Sequence, residues 1–226
     1  MNDTLETIPD LHFQDASLLQ TALTHSSFIY ERDGAGQACN ERLEFLGDAI
    51  LACISSDFLY QTYPELNEGE LSLVRAMLVK GDTLARFANE IELGKFLRMG
   101  KGERKAKSSQ RILASAFEAL LGAIYLDQGL EAAHAYLLPR IQPLANQIVE
   151  KRLFKDSKSR FQELAQEHDG ITPAYRLASQ EGPSHDQQFT VEVLLGEHVA
   201  GIGQGRNKQA AEQAAAASAL QQRGWI

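Results

Sequence analysis

Apolar and polar positions divide this chain into a long helical part and a shorter mixed part. Asp15 to Thr24 sets Leu18, Leu19, Ala22 and Leu23 at helical spacing behind Asp15 as N-cap, predicting a short core helix. Thr24-His25-Ser26-Ser27-Phe28 is expected to end it, with His25 capping or hydrogen-bonding to hold the long helix that begins near Asn40. The polar, Gly-bearing run from Glu31 to Ala38 reads as a loop. From Asn40 to Ile54 the pattern is stronger. At about 100° per residue, Leu43, Leu46, Gly47, Ile50, Leu51 and Ile54 share one face, while Glu41, Glu44 and Asp48 form a stripe about 130° round. Tyr63-Pro64 closes that segment, residues 66–70 make a turn carrying Glu68, and Leu71, Val74, Leu78 and Val79 resume a helical stripe. Leu84 to Leu93 predicts another helix, stopped at Gly94. Ile112 to Leu126 is apolar almost all round, which predicts a central buried helix. Gly129 to Glu150 supplies a last helical region, expected to break at Pro139 and Pro143.

The pattern changes after a short charged stretch, so residues 151–155 read as a linker between a first domain, 1–150, and a second, 156–226. Ser157 to Glu167 is helical, with Phe161, Leu164 and Ala165 on one face. Strand-like runs follow at Ala174 to Gln180, Gln188 to Leu195 and His198 to Ile202, and Ala210 to Leu220 is an alanine-rich helix. Gly201, Gly203 and Gly205, in alternation, are open to reading as a loop. The expected fold class is multidomain: an all-α domain followed by an α+β domain of order α-β-β-β-α.

Composition narrows the function classes. No apolar run approaches the roughly 18 residues of a membrane span, and the acidic N-terminus lacks the features of a targeting signal, so a soluble cytoplasmic protein is expected. Two cysteines, Cys39 and Cys53, argue against a disulfide framework or a zinc site. The net charge of −8 weighs against a nucleic-acid partner until the chain is divided. Residues 1–150 hold 13 Lys and Arg against 21 Asp and Glu, and residues 151–226 hold nine of each. Surplus acids in the first part suit metal binding. One stretch there is basic: Arg98, Lys101, Arg104, Lys105, Lys107 and Arg111 surround Glu103, in a loop able to meet phosphates.

Three acids on one helix stripe repel each other, so a compensating partner is expected, and a hard divalent cation is the obvious one. Glu44 and Asp48, four residues apart, could reach it together. Glu118, inside the all-apolar helix, is costly unless paired or bound to a metal. An ordinary solvated acidic face is the alternative reading of the first stripe.

The wording of these segments is specific. Asn40-Glu-Arg-Leu-Glu-Phe-Leu-Gly-Asp48 resembles the signature of the ribonuclease III family, and Ile112-Leu-Ala-Ser-Ala-Phe-Glu-Ala-Leu-Leu-Gly-Ala123 resembles its second motif. The resemblance implies an endoribonuclease that cuts double-stranded RNA with magnesium, manganese substituting, in rRNA and mRNA processing, and leaves 5′-phosphate and 3′-hydroxyl ends. Glu44, Asp48 and Glu118 become metal ligands, Asp48 and Glu118 catalytic, Glu41 a catalytic acid near the cut strand, and Glu68 an acid approaching RNA. Gly47 would permit close helix approach. The family places an aspartate where this chain has Ser115, whose hydroxyl can hold a metal-bound water but carries no charge. The family also implies a homodimer. Two other readings remain: a cleavage-deficient RNA-binding regulator, disabled by Ser115, and a hydrolase of small phosphate esters.

The second domain resembles the double-stranded-RNA-binding domain, with two helices on a three-stranded antiparallel sheet. Carried over on its motifs, Gln162 and Glu163 would meet ribose hydroxyls in one minor groove and His185 the next. Arg206, Asn207 and Lys208 would face major-groove phosphates at a helix N-terminus. Gln209 stands where the family usually has a second basic residue.

Overall fold

A computed structural model describes residues 11–31, 38–103, 109–183 and 187–225. The chain separates into two compact units, Met1–Phe154 and Lys155–Ile226.

The first unit is all helical: α1 (Ala16–Ala22), α2 (Ser26–Tyr30), α3 (Glu41–Thr62), α4 (Glu68–Val79), α5 (Gly81–Glu90), a 3₁₀ turn at Leu93–Lys95, and α6 (Gln110–Glu150). The first half of α6 is the expected central element, with Leu113, Phe117, Leu120 and Leu121 essentially inaccessible to solvent. Leu51, Leu59, Leu78, Leu84 and Phe87 close around it.

Three local expectations are corrected. The Thr24–Phe28 stretch does not simply end α1: His25 caps a further short helix, α2, its Nδ1 accepting from the Ser27 N–H at 3.2 Å. It is the Thr24 carbonyl that ties down the start of α3, accepting from Asn40 N–H at 2.9 Å. Glu68 is the first residue of α4 rather than part of a turn, because Asn67 and Glu70 form a capping box that starts the helix there. The break in α6 lies at Gly129 (φ +85°, ψ −178°), and Pro139 and Pro143 sit inside continuous helix. Each proline lacks one ladder donor, Pro139 toward the Ala135 carbonyl and Pro143 toward the Pro139 carbonyl. Near that site the Arg140 guanidinium donates to the Tyr136 carbonyl.

The second unit runs α7 (Ser157–Asp169), β1 (Ala174–Glu181), β2 (Gln188–Leu195), β3 (His198–Gly205) and α8 (Lys208–Gln222), in a meander with sheet order β1-β2-β3, every pair antiparallel. Val191, Val193 and Leu195 alternate inward against Phe161, Ala165 and the alanines of α8. The alternating glycines are strand, not loop. They occupy the positions of β3 that face α8, and a Cβ on Gly203 would overlap the Ala215 backbone nitrogen. Small residues on both sides bring helix and sheet together, so Gly203→Ala is expected to destabilise the unit by about 1–3 kcal/mol or more. Trp225, the one tryptophan of the chain, packs 5.7 Å from the Phe161 ring and reports this directly. The check is denaturant unfolding followed by its fluorescence, and an unchanged midpoint would contradict the packing argument.

Candidate active site and RNA-binding surface

The first site is made where α3 crosses α6. Gly47 faces α6 so closely that a Cβ there would overlap the Glu118 carbonyl oxygen, and Gly122 faces the Leu43 carbonyl in the same way. The two glycines are the reason the helix backbones touch, and the touching places Glu118 beside the acidic stripe of α3. Glu118 is half-buried, Glu44 half-buried and Asp48 exposed.

The electrostatics follow from that crossing. The Glu118 carboxyl is pushed up from 4.5 to about 7, first by burial and then by the charges of Asp48 and Glu44. Among the described residues no cation or hydrogen-bond donor is paired with any of these three side chains. Nor do three acidic, His or Cys side chains converge closely enough there to hold an ion between them. The donor set is all carboxylate oxygen, with Glu44 and Glu118 half-buried and Asp48 exposed, and such oxygens fit a hard divalent ion such as magnesium. Ser115 lies one turn before Glu118 on α6, half-buried, where its hydroxyl adds a neutral oxygen.

A raised carboxyl has a definite linkage. Between about pH 4.5 and 7 the folded chain retains a proton on Glu118 that the unfolded chain releases, so metal-free stability falls as pH rises through that window. A cation competes with the same proton. We expect the melting temperature in a chelator to drop across this range for the wild type and to stay flatter for Glu118→Gln. Parallel curves would contradict the raised value.

Two predicted acids lie apart from this coupling. Glu41 is exposed in the first turn of α3. Glu68 accepts from Ser72 Oγ at 3.2 Å and lines a separate recess of about 640 Å³ between α3 and α4, with Ser56, Tyr60, Leu66 and Arg75. Arg75, which the sequence leaves available to solvent or RNA, is half-buried, and its guanidinium donates to Ser56 Oγ at 2.8 Å. Phe45 is a feature missed. It sits inside the signature but is 81% exposed, and its place off the apolar stripe of α3 was the available signal.

In the second unit, Gln162 and Glu163 lie on the outer side of α7 and line a shallow recess of about 580 Å³ with Ser159, Gln166 and Glu167. Asp156 caps this helix, accepting from Ser159 N–H at 2.9 Å. Asn207 caps α8: its Oδ1 accepts from Ala210 N–H at 2.8 Å, so that oxygen is committed to the helix and only the amide NH₂ is left for phosphate. Arg206 and Lys208 flank it, both exposed at the positive end of the helix dipole. His185 and residues 104–108 of the basic loop lie outside the described residues.

An acid cluster at a glycine-mediated helix crossing, joined in one chain to an α-β-β-β-α unit with a basic helix start, defines a class: a nuclease domain carrying an RNA-binding module. Residues 15–144 match the ribonuclease-III-like family and residues 157–223 the double-stranded RNA binding motif. The chain is 49% identical to the ribonuclease 3 of Pelotomaculum thermopropionicum over 92% of its own length and 87% of that protein. It is 44% identical to that of Caldanaerobacter subterraneus over 97% of each. Among solved structures, the nuclease domain of ribonuclease III from Campylobacter jejuni, described for flexibility in a region involved in its dimer formation, matches 58% of this chain and 90% of that one. The identity is 40% and the TM-score 0.54. Dicer from Pichia stipitis matches 95% of this chain and 98% of that one at 26% identity, with a TM-score of 0.50. The chain belongs to the ribonuclease III family of metal-dependent endoribonucleases. No described helix is long and apolar enough to cross a membrane.

Proposed function

We propose that this chain cuts double-stranded RNA by magnesium-dependent hydrolysis, with Glu44, Asp48 and Glu118 as the ligands and manganese able to substitute. The observation that carries the reading is the coupled position of Glu118, whose carboxyl is held near 7 by burial and by the two acids of α3. A bound ion at such carboxylates supplies an activated water and neutralises charge on the phosphodiester. The protein's own part is to bind the duplex through the second unit, to keep the three carboxylates on one face of the α3–α6 crossing, and to release the Glu118 proton. Glu41 and Glu68 are assigned to the approach of the RNA strand. Ser115 holds an ordered water by its hydroxyl, which leaves the three carboxylates as the charged ligands.

Gln162, Glu163 and His185 are assigned to ribose hydroxyls, and Arg206, Asn207 and Lys208 to phosphates, so duplex shape rather than base sequence selects the substrate. We assign the products 5′-phosphate and 3′-hydroxyl ends, a role in rRNA and mRNA processing, and a cytoplasmic location. A homodimer completes the reading. It is supported by the dimer-forming region described for the Campylobacter jejuni domain and by the solvent-facing rings of Phe45 and Tyr60, exposed 81% and 75%.

The test is incubation of a long, perfectly paired, end-labelled RNA with the wild type and Ser115→Asp in magnesium. We expect both to cut the duplex, to spare the separated strands, and to differ by no more than about tenfold, as for a group acting through an ordered water. Duplex cutting in chelator, or 2′,3′-cyclic phosphate ends, would overturn the proposal. Restoration of cutting only by Ser115→Asp would make the protein an RNA-binding regulator.

A further inference from the structure

We propose that Lys158 is a positioning residue for duplex binding: by holding the Glu212 carboxylate against α7, it leaves the Lys208 ammonium to the RNA phosphates. This rests on the assignment of Lys208 to phosphates made above. Lys208 opens α8, and Glu212 follows one turn later on the same face. An acid at that spacing is within reach of the lysine and competes with a phosphate for it. The structure turns Glu212 the other way. Lys158 Nζ, from the first turn of α7, donates to Glu212 Oε2 at 2.6 Å, and the Lys158 backbone N–H donates to Gln213 Oε1 at 3.1 Å. The same ammonium lies 4.7 Å from the centre of the Tyr175 ring on β1.

Lys158 is an unusual place for a cation, since the first turn of a helix carries the positive end of its dipole. The acid of α8 offsets that, and the Tyr175 ring holds the ammonium from another side. The pair is partly covered, the lysine side chain being 39% exposed and the glutamate 27%. Without Lys158, the more covered partner loses the cation that faces it. Lys208 is the one basic residue within α8, so the Glu212 carboxylate then turns to it and draws it from the phosphate. Repulsion between that acid and the polyphosphate acts in the same direction. Surface pairs at this spacing are weak, so the expected scale is a few-fold change in affinity rather than its loss.

The experiment measures binding of the full chain, without divalent ions, to a perfectly paired RNA duplex over a range of salt concentrations. Lys158→Met is expected to weaken binding about fivefold at low salt and to flatten the dependence of log affinity on log salt by up to about one, the mark of a lost phosphate contact. Glu212→Gln is expected to bind at least as tightly as the wild type, and, added to Lys158→Met, to restore both affinity and slope. In a Lys208→Gln background, Lys158→Met is expected to add no further loss. A Lys158 that touches phosphate itself gives the same loss without rescue, and one that only supports the fold lowers affinity with the slope unchanged. Either result, or wild-type binding by Lys158→Met, would overturn the proposal. If Lys208→Gln alone leaves affinity and slope unchanged, the phosphate assignment of Lys208 itself fails. If Lys208→Gln lowers both while Lys158→Met binds normally, only the positioning role fails. Should Trp225 fluorescence show that Lys158→Met weakens the fold, the same cycle run with Lys158→Gln decides by the same criteria.

Discussion

Glu118→Gln is expected to lower the rate of duplex cleavage by at least about a thousandfold, the scale for loss of a catalytic group, while leaving duplex binding within about twofold. Gln keeps the shape of the side chain and its place on α6, but supplies one neutral amide oxygen where an ion requires charge. The half-buried position makes the substitution benign for folding, since the wild-type carboxylate is disfavoured there by burial, Asp48 and Glu44. Removing that charge is therefore expected to raise metal-free stability above neutral pH. Loss of cleavage together with a gain of stability separates a catalytic effect from unfolding. Cleavage kinetics under single-turnover conditions, with binding followed in calcium and melting followed in chelator, provide the check. Glu118→Gln protein that cuts within about tenfold of the wild type would remove Glu118 from the site.

Gly47→Ala is expected to have the second large effect, and to reach the chemistry through the backbone. A methyl group at Gly47 needs the volume occupied by the Glu118 carbonyl, so α3 and α6 must move apart at the point where the acids meet. Overpacking of this kind costs about 1–3 kcal/mol, occasionally more. A displacement of the order of 1 Å between catalytic groups costs about a hundredfold in rate. The variant should fold at low temperature, retain duplex binding through its second unit, and cut about a hundredfold more slowly. Circular dichroism and cleavage at one temperature test both parts. Normal activity in Gly47→Ala would mean that the crossing tolerates expansion and that close approach is not what positions Glu118.

Elements fixed by periodicity were legible in the sequence. The face carrying Leu43, Gly47, Leu51 and Ile54 is buried as its spacing requires, and Glu118 stood out as the one charge in a stretch that is apolar almost all round. The α-β-β-β-α order of the second unit was readable for the same reason, its pattern switching from a period near 3.6 to 2. What escaped the sequence depended on contacts between elements. Gly201, Gly203 and Gly205 have ordinary loop-like chemistry until α8 lies against them. Pro139 and Pro143 sit within continuous helix, while Gly129 took a positive-φ, extended conformation open to glycine and made the break instead. The outward ring of Phe45 and the Lys158–Glu212 pair were invisible for a related reason: neither exposure nor a contact 54 residues apart leaves a trace in spacing alone.

The central claim is that Glu44, Asp48 and Glu118 form one ion site that works with serine at position 115. Titration of Mn²⁺ followed by electron paramagnetic resonance, on the wild type and Glu118→Gln with cleavage assayed on the same samples, tests it most directly. The account predicts a Mn²⁺ site in the wild type that weakens by at least about tenfold in Glu118→Gln, in step with the loss of cutting. Equal Mn²⁺ affinity in the two proteins, or strong binding by a wild type that cuts no duplex, would contradict it.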